Sequence, residues 1–350
     1  MSVDTSASSP TSSLSRNPRL VLIPLALAGF LLITGCSTKL TSSTPPTIAT
    51  ASPAKSPVSD TVPAGAVLAW NGQPVAVHFD PRTATLAIAS SAEAPTLTLF
   101  QTGRAPRIVP LPATPSALAG DDAGTLWATS HGAVSSIHIA DATVSPNPVA
   151  GAETTDFTAI ARRADGTLVL GSADGGIYVL DNKNNIAHHS RGFARVDALA
   201  TQGNTTVALD RGQTSVTQLN ADGSPGLALR AGTGATSMAA DTTGRILVTD
   251  TRGEQLLVFT ADPLIERQAY PVSASPYGVT GSPTLVWVSQ TASNTVIGYD
   301  LSTGIPVEKV RYPTVQQPNY LAYDDTSGTL YVVSGVGAGV QVIAKADGRR

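Results

Sequence analysis

The sequence predicts an all-β fold: a seven-bladed β-propeller of four-stranded antiparallel blades, with an N-terminal strand closing the last blade. Three observations predict it: a repeat of about 40 residues present seven times, period-two alternation within each repeat, and Asp/Asn/Gly turn chemistry between its segments.

The repeat is clearest in the second segment of each unit: "TATLAIAS", "GTLWATS", "GTLVLGS", "TTVALD", "GRILVTD", "PTLVWVS" and "GTLYVVS". Their first large apolar residues are Leu86, Leu126, Leu168, Val207, Ile246, Leu285 and Leu330, at spacings of 40, 42, 39, 39, 39 and 45. An inner segment precedes each one, with a large residue at Val77, Leu118, Ile160, Leu199, Met238, Val279 and Leu321. The residue before it is small in six units: Ala76, Ala117, Ala159, Ala198, Ser237 and Gly278. Alternation of period two means strand, and small on one face with large on the other suits a strand wedged between two sheets.

Turns such as "DPRT", "RADG" and "DTTG" join the first two strands. A third strand follows, as in "GIYVLD" and "QLLVFT", and Pro-containing fourth segments such as "RIVPLP" read as outer edge strands. Four antiparallel strands in about 40 residues make a propeller blade. The last unit ends after its third strand, at "GVQVIA", while a spare segment, "AVLAW" (66–70), precedes the first. That segment is predicted to supply the missing outer strand of the last blade.

Ahead of the propeller (66–350), the first 19 residues are polar, with Arg16 and Arg19 leading into an apolar run from Leu20 to Ile33. Fourteen residues interrupted by Pro24 are too few to span a bilayer, which takes roughly 20, and read as the core of a signal peptide, 1–35. "ITGC" resembles the bacterial lipobox, which implies lipidation of Cys36 and its exposure as the first mature residue. Acyl chains bury about 0.8 kcal/mol per CH₂, and more than one of them anchors a protein without a spanning helix. Cys36 is the one cysteine of the chain, so no intramolecular disulfide forms. Residues 36–65 are rich in Ser, Thr, Pro and Ala and are expected to form a disordered tether.

The stretches 241–262, 275–290 and 318–335 resemble NHL and YVTN propeller repeats. In them a Gly turn and an "ILV"-type strand end in Asp before an "LVF" strand, or a Pro precedes the inner strand. The resemblance implies the propeller architecture over about 66–348; activities in such families vary too widely to carry over.

Composition narrows the partners. The formal charge is −3, and removal of 1–35, which holds Asp4, Arg16 and Arg19, leaves −4. With no Lys/Arg cluster, nucleic acid is not an expected partner. The membrane, through the N-terminal lipid, is one; an envelope protein or wall component is the other, and the chain is expected to be a monomer. Arg outnumbers Lys 17 to 5, consistent with a high-GC bacterial genome.

Candidate site residues come from the blade alignment. Residues leading into the inner strands should ring one mouth of the central channel, and the candidates for binding there are Gln73, Asp156, Arg195, Asp197, Tyr277, Gln317 and Asn319, with a charge pair expected between Asp156 and Arg195. His78, on an inner strand, is the best single histidine for the channel; His188 and His189 belong on an outer strand. The pairs Asp121-Asp122 and Asp324-Asp325 sit where the repeat needs turn residues, without calcium-loop spacing. No catalytic residue, metal site or cofactor is assigned. The expected function is a non-enzymatic binding or scaffold module on the outer face of a bacterial cytoplasmic membrane. The alternative is a channel-centred enzyme, either a metal-dependent lactonase-like hydrolase or a quinone-dependent oxidoreductase.

Overall fold

Twenty-eight strands form seven four-stranded antiparallel sheets in the computed structural model, which describes residues 46–58 and 60–348, all within one compact unit, Thr44–Arg350. The expected signal peptide 1–35, Cys36 and the first part of the expected tether lie outside the described residues. The inner strands of blades 1 to 7 are Pro74–Asp80, Ala117–Gly120, Phe157–Arg162, Ala198–Gln202, Ala235–Ala240, Pro276–Gly281 and Pro318–Asp324. Six blades run in chain order from inside to outside. In the seventh, Ala66–Leu68 pairs with Val340–Ile343 as the outer strand, so the first strand closes the ring as predicted.

The small-and-large alternation has a direct packing explanation. Val77, Leu118, Ile160, Leu199, Met238, Val279 and Leu321 each pack against the preceding blade, in seven apolar clusters that fill the seven blade junctions. Ala76, Ala117, Ala159 and Ala198 face the following blade. A wedge narrows towards the axis, so one face of each inner strand must be small. The exception is Tyr320, at the closing junction, where its hydroxyl donates to the Pro74 carbonyl of blade 1 at 2.9 Å and Phe79 stacks on Tyr331 at 5.5 Å. A fully buried apolar side chain stabilises by roughly 1.5–3 kcal/mol, so these junctions, which also hold the fully buried Trp287 between blades 6 and 7, carry the fold.

The disordered tether is corrected for residues 46–58. This segment forms no strand but runs across the face of the propeller from blade 4 to blade 7, beginning with Ile48 N–H donating to the Gly212 carbonyl at 2.8 Å. It continues to Ala64, whose N–H donates to the Pro313 carbonyl and whose carbonyl accepts from Gln341 Nε2, and so delivers the chain to the closing strand. Composition argued for disorder because the segment has little apolar surface; polar partners on the blades supply what its own sequence lacks.

Candidate functional site

The residue after the Pro position ends up on the channel because of a register shift. In blades 1, 3, 5 and 7 the pairing of the inner strand skips one residue, Val75, Thr158, Thr236 and Asn319 respectively, and in blade 6 it skips Tyr277 and Gly278. A bulge frees its residue from the ladder and re-aims the side chain. Together with Ser116 and Asp197, these residues line one mouth of a central cavity of about 550 Å³ to which all seven inner strands contribute.

Of the sequence candidates, Asp197, Tyr277 and Asn319 line this cavity, whereas Gln73, Asp156, Arg195 and Gln317 lie outside its lining. The expected pair of Asp156 with Arg195 does not form. Asp156 shares an isolated bridge with His131, which sets its carboxylate 2.6 Å from His131 Nδ1. Arg195 turns instead to Asp197 on its own blade, with Nε 2.6 Å from Oδ1. The Asp197 side chain is 6% exposed and its second oxygen accepts the Arg211 backbone N–H at 2.8 Å, while Asp156 is 70% exposed. The charge therefore sits buried and balanced on blade 4 and solvated on blade 3.

Most rim hydroxyls are committed to holding the ring together. Ser116 donates to the Phe157 carbonyl, Thr158 to the Val196 carbonyl, and Thr236 bonds to Thr251, which donates to the Pro276 carbonyl. The bonds to the three carbonyls each cross from one blade to the next, and the Thr236–Thr251 bond links the inner strand of blade 5 to that chain of contacts. Gln317, buried at 7% exposure, donates through Nε2 to Asn319 Oδ1 at 3.1 Å and to the Ala54 carbonyl of the N-terminal segment at 2.9 Å.

Two channel residues escaped the alignment. Arg211 lines the mouth from the hairpin turn that follows Asp210, and its Nη2 donates to the Ala51 carbonyl. Tyr320 lines it from blade 7, and burial pushes its phenol up to about 12. Both could have been found only by noticing a residue out of character for its repeat position: a cation in a turn and a large ring at a small site.

His78 does line the channel, as expected, with Nε2 3.3 Å from Asp122 Oδ1. Gly120 makes the room, since a Cβ there would fall 2.2 Å from that nitrogen. Asp121 and Asp324 cap hairpin turns, accepting from Ala123 and Thr125 N–H and from Thr326 N–H. Burial raises the Asp121 carboxyl, but the Thr125 and Ala123 N–H bonds, with the Thr125 side chain and the Arg162 charge, together outweigh it and hold the group below its ordinary range. His188 and His189 are exposed on the outer strand Ile186–Arg191, with His189 stacked on Tyr178 at 4.2 Å. Among the described residues, no three His, Cys, Asp or Glu side chains are grouped to share a metal ion.

No protein-family model matches the chain, and no curated protein does. Solved structures do. The chain is similar to a chain of the Mitotic Checkpoint Complex at 14% identity and a TM-score of 0.69, covering 85% of this chain and 99% of that one. It is similar to Kuenenia stuttgartiensis hydrazine synthase at 15% identity and a TM-score of 0.65, over 78% and 96% of the two chains. Virginiamycin B lyase from Staphylococcus aureus matches at 14% identity and a TM-score of 0.64, over 77% and 95%. At these identities the likeness carries the β-propeller architecture and nothing of the neighbours' chemistry.

Proposed function

We propose that this chain is a lipid-anchored β-propeller of a bacterial cell envelope, with NHL/YVTN-like repeats, working as a non-enzymatic binding and scaffold module. In this reading Cys36 holds it on the outer face of the cytoplasmic membrane, and it acts as a monomer on an envelope protein or wall component. The observation that carries the binding reading is the commitment of the channel-mouth groups. The hydroxyls of Ser116, Thr158, Thr251 and Tyr320 each donate to a carbonyl of the next blade, and Asp197 is matched by Arg195. Groups so engaged make a rigid polar rim; a general base or a nucleophile needs its lone pair or proton free.

Hydrazine synthase and virginiamycin B lyase are enzymes by name and share the architecture. A channel-centred hydrolase or quinone-dependent oxidoreductase is therefore the competing reading. It would draw on His78 and the neighbouring Asp122.

Two measurements test the proposal. Full-length chain expressed in a bacterium and fed an alkyne-tagged fatty acid should carry the label and sediment with membranes, and Cys36→Ala should abolish both; label or sedimentation retained by the variant overturns the anchor. Thermal unfolding with EDTA, divalent cations, pyrroloquinoline quinone or envelope sugars should show no shift with metal or quinone. A ligand at 100 times its Kd adds about 2.7 kcal/mol, so a rise of several degrees with either would replace the scaffold reading by the enzymatic one.

A further inference from the structure

The N-terminal segment is not laid on the propeller indiscriminately. Two of its residues are buried, Ala51 and Ser56, while most of the others are exposed. Ala51 fits against Gly234, where a Cβ would lie 2.9 Å from the Ala51 Cβ and 2.7 Å from that of Arg252, so the contact requires a glycine on the blade and a small residue on the segment.

Ser56 has every polar group engaged. Its N–H donates to Gln317 Oε1 at 2.9 Å, its hydroxyl donates to the Thr291 carbonyl at 2.6 Å and accepts Gln317 N–H at 3.0 Å, and its carbonyl accepts Gln316 Nε2 at 3.2 Å. Elsewhere the segment is held mostly at its carbonyls: Ala49 by Arg252, Ala54 by Gln317 and Pro57 by Asn294. Its bonded N–H groups are those of Ile48, Ala54 and Ser56, so Pro53 and Pro57 forfeit no bond and lower the entropy lost on ordering.

The blade residues that grip the segment hold unusual backbone. Ser275, whose Oγ accepts Ala54 N–H, and Gln317 have φ of +59° and +56°, a region that non-glycine residues rarely occupy. Rare conformations, a glycine-made pocket and a fully satisfied buried serine together describe a recognition groove, read as a small residue followed five positions later by serine.

We propose that blades 4 to 7 carry a binding groove for an extended Ala/Ser/Pro-type peptide, which residues 46–57 fill in cis, and that a second peptide of this chemistry exchanges with them. Exchange follows from the balance of forces. Each hydrogen bond is worth about what it takes to order the residue it fixes, and the segment buries almost no apolar surface to tip the balance. The cis segment acts as a competitor at high effective concentration, so a partner's peptide gains access when the strap is out. The groove gives the binding-module reading a partner class, on a surface that does not use the lipid and that meets the channel mouth at Arg211.

The test uses the full chain and a fluorescein-labelled peptide of residues 46–58. Ala51→Glu with Ser56→Glu should free the strap and leave the groove intact, seen as at least tenfold faster tryptic cleavage after Lys55, an exposed residue, with the melting temperature lowered by only the few degrees that losing a tenfold-favoured contact entails. Fluorescence anisotropy should then show the peptide binding this variant at least tenfold more tightly than the wild type, and adding Gln317→Ala should reverse the gain. Unchanged cleavage, equal affinity for both proteins, or no binding by the freed variant overturns the groove. Each of those results leaves the lipid and channel tests standing as they were.

Discussion

Blades 4 and 5 end their second strands in aspartate, Asp210 and Asp250, where blades 1, 2, 3 and 7 have serine. The difference is one of reach. Asp250 accepts three backbone N–H groups, from Thr233, Gly234 and Gly253, and Asp210 accepts those of Ala194, Arg195 and Gln213. Each carboxylate fastens both the hairpin turn and the loop leading into the inner strand. In blade 1, Ser90 accepts Gln73 N–H at 3.2 Å and, weakly, Ala92 N–H at 3.5 Å. The loops fixed by aspartate are those that present Arg195 to Asp197 and Gly234 to Ala51. Ser334 of blade 7 also fastens both turn and loop, donating to the Gln316 carbonyl and accepting Val336 and Ala338 N–H, so what the aspartates add is a charged acceptor for two consecutive N–H groups of the loop.

The largest break in this comparison should come from Asp250→Ala, which removes the acceptor of three N–H groups, that of Gly234 buried and those of Thr233 and Gly253 partly so. Bonds to charged acceptors run about 1.5–3 kcal/mol, so a loss of about 3 kcal/mol is expected, against about 1 kcal/mol for Ser90→Ala. Urea unfolding of the two variants measures the gap; equal losses would mean that serine does the same work.

Next is the pair of rim carboxylates. Asp197→Asn should destabilise by about 2 kcal/mol, since it weakens a buried acceptor of Arg195 and Arg211, whereas Asp156→Asn should cost under about 0.5 kcal/mol. Exchanging the order of these two effects would show that exposure does not govern the rim.

The smallest effect tests closure. Tyr320→Phe removes one bond to blade 1, worth about 1 kcal/mol. Its phenol is pushed up to about 12 by burial, against about 10 in an unfolded chain. The stability it contributes is therefore complete below pH 10 and is lost as pH rises from 10 to 12. The alkaline arm of a pH-stability profile should be shallower in the variant than in the wild type, and identical slopes would remove Tyr320 from the closing junction.

Much of this was legible in the residues. The step from Leu86 to Leu126 and onward counts the blades, the alternation around Ile160 and Ala159 assigns the two faces of the wedge, and the orphan "AVLAW" anticipates the closing strand. The position after proline correctly foretold a channel lining at Asp197, Tyr277 and Asn319. The partner of Asp156 was not legible, because the alignment orders blades but not side chains: His131 lay one bridge away and the charge of Arg195 was already taken.

Sequence by itself determined the blade number, the strand faces and the way the ring closes, since each is written in periodicity and turn chemistry within about 40 residues. Tertiary structure alone decided which rim charges pair and that the polar N-terminal segment docks. Ser56 meets Gln317 across 261 positions of chain, and a contact of that span leaves no periodic trace in either segment. It exists because seven wedges, packed around one axis, bring residues 54–56 beside the last blade.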